Sequence, residues 1–292
     1  MFAPGTEGPA GGTSSANAAD AASATPCGKA GASLPAPGRA RILAVANQKG
    51  GVGKTTTALS LGAALSRRGK RVLVMDLDPH NCASAHLGLF PENVSRSVLD
   101  LFLADGVDAA CFMGTVVAGR SGFDFVPGHS RLSELDVDLR DRPRKGIILK
   151  EALTVVSDRY DFAILDCPPH MGVLLANALV ASDLLVIPIQ TDFLALHGLR
   201  LIFDSIRTLN RVLPRPLAFM ALATMFDRRA GACVRVLNLL RRKLGTRIFS
   251  TVIGLDTKFR EASADGKVIF EVAPDSRGAR EYLQLADEIL RT

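Results

Sequence analysis

The chain has 292 residues, 48% of them hydrophobic and 22% charged, with a formal net charge of +6. That composition suits a large buried core, and no apolar run reaches the roughly 18 residues that cross a bilayer, so no stable membrane anchor is expected. With no Trp and only two Tyr it lacks an aromatic platform for single-stranded nucleic acid, and its five cysteines include no C-x-x-C pair of the kind that signals zinc or a disulfide framework.

Residues 1–38 are rich in Ala, Gly, Ser, Thr and Pro and almost devoid of large apolar side chains. Such a segment cannot bury enough surface to offset its chain entropy, and it is expected to be a disordered tail. Residues 39–292 are expected to form a single domain.

RILAVAN (41–47) reads as a buried strand, and NQKGGVGKTTT (47–57) leaves it to open a helix. The strict phosphate-loop pattern G-x-x-x-x-G-K-[ST] is broken at its first position, which is Gln48, and a second lysine, Lys49, follows. Gly50, Gly51 and Gly53, with Val52 between them, let backbone N–H groups turn toward a phosphate chain at a helix N-terminus. Lys54 would neutralise the β- and γ-phosphates, Thr55 would place its hydroxyl on Mg²⁺, and Thr56 could reach the α-phosphate. A glycine-rich turn with two surface lysines is the blander reading, and the strand-to-helix context disfavours it.

RVLVMDLDPH (71–80) ends a second strand with Asp76 and Asp78, alternate residues that point the same way. Near a triphosphate, two such carboxylates can hold Mg²⁺ through water or orient an attacking water. FDFVPG (123–128) is a third strand. YDFAILDCPPH (160–170) repeats the pattern, with four apolar residues, Asp166 and a rigid Pro-Pro turn, the form of a Walker B element whose Asp orders the metal's water shell.

DLLVIPI (183–189) and PLAFMALAT (216–224) complete the strands expected from pattern. Helical periodicity lies between them at 55–69, 146–158, 172–182, 195–212 and 231–245. Strict alternation of strand and helix predicts an α/β fold: an open, mostly parallel twisted sheet with helices on both faces and ligands beyond the carboxyl ends of the strands.

The charge is uneven. From Arg200 onward there are 17 Lys and Arg against 10 Asp and Glu, whereas residues 1–199 carry 18 against 19. The whole positive excess sits in the last third, where a polyanion would bind.

KGGVGKTT (49–56), DLDP (76–79), DCPP (166–169), TMFDRR (224–229) and SRGAREYLQLADEIL (276–290) together resemble the ParA/Soj-type partition ATPases. These are P-loop NTPases of the deviant Walker A group, which also contains MinD, and the resemblance runs from about Arg41 to the C-terminus. It implies an ATP hydrolase with Mg²⁺ that forms an ATP-sandwich homodimer. In that resemblance Lys49 is the signature lysine reaching the partner copy's phosphates, Lys54 acts in cis, and Asp78 positions the hydrolytic water. Metal contacts would fall to Thr55, Asp76 and Asp166.

The resemblance further implies non-specific binding of double-stranded DNA, a ParB-like activator of slow hydrolysis, and a cytoplasmic, nucleoid-associated protein that segregates or positions a chromosome, plasmid or protein cargo. Arg228, Arg229, Arg235, Arg241, Arg242, Lys243, Arg247, Lys258 and Arg260 are the DNA-binding candidates. RRK at 241–243 also suits the solvated end of a helix, where cations complement the dipole.

Two departures stand out. After DLDP the family usually continues Q-G-N-A, but here His80, Asn81, Cys82 and Ala83 follow. A stiffer loop and altered hydrolysis are expected, and the histidines His80 and His170 carry no assigned role. The family's P-R-N loop is here Gly254-Leu255-Asp256, in which Asp256 could accept from the adenine amino group. The alternatives are a MinD-like membrane-cycling ATPase, disfavoured by the acidic end LADEILRT, and a nucleotide-gated scaffold with little hydrolysis. An iron–sulfur carrier would need cysteines at a spacing this chain lacks.

Overall fold

In β1 (Arg41–Val45) side chains alternate between two hydrophobic layers: Ile42 and Ala44 face one, Leu43 and Val45 the other. A strand buried on both faces belongs in the middle of a covered sheet, which is where β1 lies. A computed structural model describes residues 38–292 apart from 120, 193–202, 205, 209, 212 and 214. Of the tail expected over 1–38 only Gly38 falls among them, and most of the helix expected over 195–212 also lies outside the described residues.

The sheet has seven strands in the order β3-β2-β4-β1-β5-β6-β7, and every pair within it is parallel. β2 is Val72–Asp76, β3 Asp124–Val126, β4 Phe162–Asp166, β5 Leu184–Gln190, β6 Phe219–Phe226 and β7 Ile248–Gly254. One layer packs the helices Lys54–Arg67 and Arg277–Arg291 through Leu59, Leu61, Tyr282, Leu285 and Ile289. The opposite layer holds Phe102, Leu149, Leu174, Leu175, Leu237 and Leu240. The α/β architecture with helices on both faces is the one expected from the sequence.

β7 adds a strand that the sequence pattern did not disclose. Its centre, Ser250 and Thr251, is exposed or half-buried, as befits an edge strand lacking a second neighbour. The backbone N–H groups of both residues donate to the Glu288 carboxylate at 2.7 and 3.0 Å, so the C-terminal helix satisfies donors that would otherwise invite a further strand.

Register places the chemistry. Across the parallel pair β2 and β4, Asp76 lies directly opposite Asp166, and Asp166 lies opposite Val45 at the end of β1. Three strands adjacent in the sheet therefore end at one level, and Thr55, which opens the helix after the loop leaving β1, donates to Asp166.

Candidate functional site

The loop from Asn47 to Gly53 is held by its own backbone and by two side chains. Asn47 Nδ2 donates to the Pro188 carbonyl at 2.7 Å while its Oδ1 accepts the Lys49 N–H at 3.0 Å. Thr224 Oγ1, at the end of β6, donates to the Val52 carbonyl at 2.9 Å. Gly51 and Gly53 take φ of 71° and 88°, the left-handed region that costs a residue with a Cβ about 1–2 kcal/mol. Gly53 caps the helix Lys54–Arg67 without any side-chain cap, and no acidic residue occupies its first turn. Its first N–H groups and its positive dipole end are left for an anion.

Lys54 is buried at the start of that helix. Thr55 Oγ1 donates to Asp166 Oδ2 at 2.7 Å, and Asp166 Oδ1 is buried without a partner among the described residues. Asp76 Oδ2 accepts from the Ser84 N–H at 2.9 Å and from its hydroxyl at 2.7 Å, and Asp76 Oδ1 accepts the Asp78 N–H at 3.1 Å. Burial pushes the Asp76 carboxyl up to about 6 against the pull of the Ser84 bonds. Burial and the neighbouring Asp76 raise Asp166 well above the usual carboxylate range, although Thr55 and Lys54 oppose this. Two desolvated carboxylates side by side, one with an orphaned oxygen, form an unbalanced negative site that a divalent cation would complete.

Asp78 sits two residues past β2, with its side chain 10% exposed, and its Oδ1 accepts from the His80 N–H at 3.0 Å. Asn81 follows at φ 53°. The loop thus uses a left-handed residue at the position where the resemblance to the family leads one to expect glycine, and asparagine is among the side chains that tolerate that region best. Partial burial of the thiol, together with the charges of Asp78, Asp76 and Asp166, raises the Cys82 pKa, so it is not an activated nucleophile.

Lys49 does not point at the loop's own helix. Its ammonium contacts Asp192 Oδ2, just beyond β5, with 26% and 34% of the two side chains exposed. Sequence reasoning did not single out Asp192 or Ser84. Asp192 carries a weaker form of the signal at Asp76 and Asp166, an acid that follows an apolar strand after Gln190 and Thr191, whereas Ser84 carries no signal outside the folded loop.

Asp256 is tied into local structure. Its Oδ1 accepts the Lys258 N–H at 3.0 Å and its Oδ2 the Gly278 N–H at 3.1 Å. Any bond to a purine amino group would have to share an oxygen already in use.

The basic candidates do not form one patch. Arg228, Arg229, Lys258 and Arg260 follow the carboxyl ends of β6 and β7. Arg241, Arg242 and Lys243 close the helix Gly231–Leu244, which runs back about 21 Å along the sheet. On that helix Leu237 and Leu240 are buried, and Arg235 and Arg242 lie on the opposite face. Arg229 is held by Asp227 through two side-chain bonds of 3.1 and 3.0 Å, Lys258 pairs with Glu261 at 2.6 Å, and Arg247 stacks on the Phe219 ring at 5.2 Å.

Known proteins bear on this geometry. A family model described as an AAA domain matches residues 40–219. The sporulation initiation inhibitor Soj of Bacillus subtilis is 37% identical over 250 residues, covering 85% of this chain and 98% of its own. The chromosome partitioning protein ParA of Caulobacter vibrioides is 34% identical over 255 residues, covering 86% and 94%. Among solved structures, cobyrinic acid a,c-diamide synthase from Mycobacterium smegmatis with bound ADP and magnesium superposes with a TM-score of 0.75 at 32% identity, covering 86% and 94%.

Proposed function

The chain belongs to the ParA/Soj-type family of P-loop ATPases, and on that premise we propose that it hydrolyses ATP as a Mg²⁺-dependent homodimer that moves or positions cargo along DNA. The observation that carries this reading is the convergence, at the ends of β1, β2 and β4, of an uncapped helix N-terminus, Lys54, Thr55 and the carboxylates Asp76 and Asp166.

The backbone N–H groups of Gly50 to Thr56 would cradle the phosphate chain, and Lys54 would neutralise its outer phosphates. Thr55, Asp166 and Asp76 would hold Mg²⁺, which when bound offsets charge on the transferring phosphoryl group. Asp78 would orient the attacking water. Lys49 would act on the partner copy's nucleotide, so that charge stabilisation of the transition state depends on dimerisation. The diamide synthase shares fold and nucleotide, and the reading follows Soj and ParA, with which this chain aligns over nearly their whole length.

The positive excess of the last third supports non-specific attraction to duplex DNA. A nucleoid-associated protein with a ParB-like activator follows from the same family reading. No helix among the described residues is long and apolar enough to cross a membrane.

The test is phosphate release by the full chain with Mg-ATP, alone and with duplex DNA and a ParB-like protein, beside ATP-dependent retention on DNAs of unrelated sequence. Mg-dependent turnover and equal retention on all sequences are expected. A chain that fails to bind Mg-ATP, or that retains one sequence only, would overturn the proposal.

A further inference from the structure

The loop after β2 holds one interaction that the scheme above does not use. His80 Nδ1 lies 2.9 Å from Asp78 Oδ1, the oxygen that already accepts the His80 backbone N–H at 3.0 Å. An ionised carboxylate only accepts, so Nδ1 carries the proton in this bond. Both bonds to Oδ1 therefore come from one residue, and among the described residues no protein group donates to Oδ2.

The main chain around Asp78 is fixed as well. Its N–H donates to Asp76 Oδ1 at 3.1 Å and its carbonyl accepts the Asn81 N–H at 2.8 Å. What the backbone leaves free is the carboxylate torsion, which for Asp is broad and nearly two-fold. The ring narrows that breadth by holding the plane of the carboxylate. It is 72% exposed while the Asp78 side chain is 10% exposed, so the imidazole lies outside the carboxylate as a brace and contributes little to the core.

We propose that His80 is a positioning residue for hydrolysis: its ring holds the plane of the Asp78 carboxylate so that the oxygen it leaves unbonded faces the attacking water. The proposal rests on the role given to Asp78 above. Its physical basis is preorganisation, since a carboxylate already oriented loses less freedom when it engages the water. Asparagine at position 80 would place an amide N–H where Nδ1 now sits, whereas alanine would leave only the backbone bond.

The experiment measures steady-state phosphate release by the full-length chain with Mg-ATP and duplex DNA, together with affinity for a fluorescent ATP analogue and the thermal unfolding temperature. His80→Ala is expected to lower kcat about fivefold, as loss of an exposed charge-assisted hydrogen bond would, with nucleotide affinity and unfolding temperature unchanged. His80→Asn should return kcat to within about twofold of wild type, and His80→Ala should add nothing in an Asp78→Ala background, because the ring acts only through Asp78. Wild-type kcat in His80→Ala, an asparagine variant no better than alanine, or a further loss on top of Asp78→Ala would each overturn the positioning role while leaving Asp78's role standing. Wild-type turnover by Asp78→Ala alone would overturn both, which separates the two failures.

Discussion

Lys49 and Asp192, 143 residues apart, form an ion pair that joins the phosphate-binding loop to the end of β5. The lysine that the proposed mechanism needs on a partner copy is thus held within its own chain, and Asp192 keeps its other oxygen buried and unpartnered among the described residues. In the proposed dimer, Lys49 reaches the partner copy only after this ion pair opens. Asp192→Asn should therefore let ATP-dependent dimers form at a protein concentration about two- to fivefold lower, the scale of a partly exposed pair. Light scattering against concentration checks this, and weaker dimerisation in the variant would place Asp192 in the working conformation of Lys49 instead.

The two lysines of the loop should separate in function. Lys49→Ala is expected to retain ATP binding and lose ATP-dependent dimers. Lys54→Ala should weaken ATP binding itself by about 10- to 100-fold, as removal of a buried charge-assisted hydrogen bond does. Calorimetric titration of ATP into each variant, followed by light scattering, distinguishes them.

Removing Asp78, the carboxylate proposed to position the attacking water, should stall the cycle after assembly. Asp78→Ala is expected to cut phosphate release by about 10², in the range for loss of a positioned acid–base group, and to hold the ATP dimer on DNA. Rapid turnover together with rapid release from DNA would contradict the assignment.

Asp76 makes stability depend on pH with a definite sign. Its pKa is raised from 3.8 to about 6 by burial, so between those values the folded state holds more protons than the unfolded one and stability falls as pH rises. The unfolding temperature of the nucleotide-free protein should drop between about pH 4 and pH 7 by more in wild type than in Asp76→Asn, which has no charge to bury. Scanning fluorimetry across that window measures the difference, and Mg-ATP should shrink it.

The split of the basic residues is testable by charge reversal. Arg235→Glu with Arg242→Glu removes two cations from the exposed face of one helix and should weaken binding to all duplex sequences alike. The salt dependence, log K against log salt, should become shallower by about 0.9 for each DNA phosphate that the protein no longer neutralises. Arg229→Glu should have a smaller effect, because Asp227 already occupies that guanidinium. Fluorescence anisotropy over a salt series reads both quantities.

Sequence alone determined what depends on neighbours in the chain. The phosphate loop, the helix it opens, the strands that end in Asp76 and Asp166, and the α/β class all follow from spacing and local periodicity, because a Gly-rich turn at a strand-to-helix junction has few other uses. Tertiary structure decided what depends on residues meeting from afar. β7 was hidden because an edge strand is half-exposed and shows no continuous apolar run. Asp192 found Lys49, Ser84 found Asp76, and His80 took its place on Asp78 through the path of folded loops. The same placement set Arg228 and Arg229 at one end of the sheet and Arg241 and Arg242 toward the other, since a helix between parallel strands must run back along the sheet.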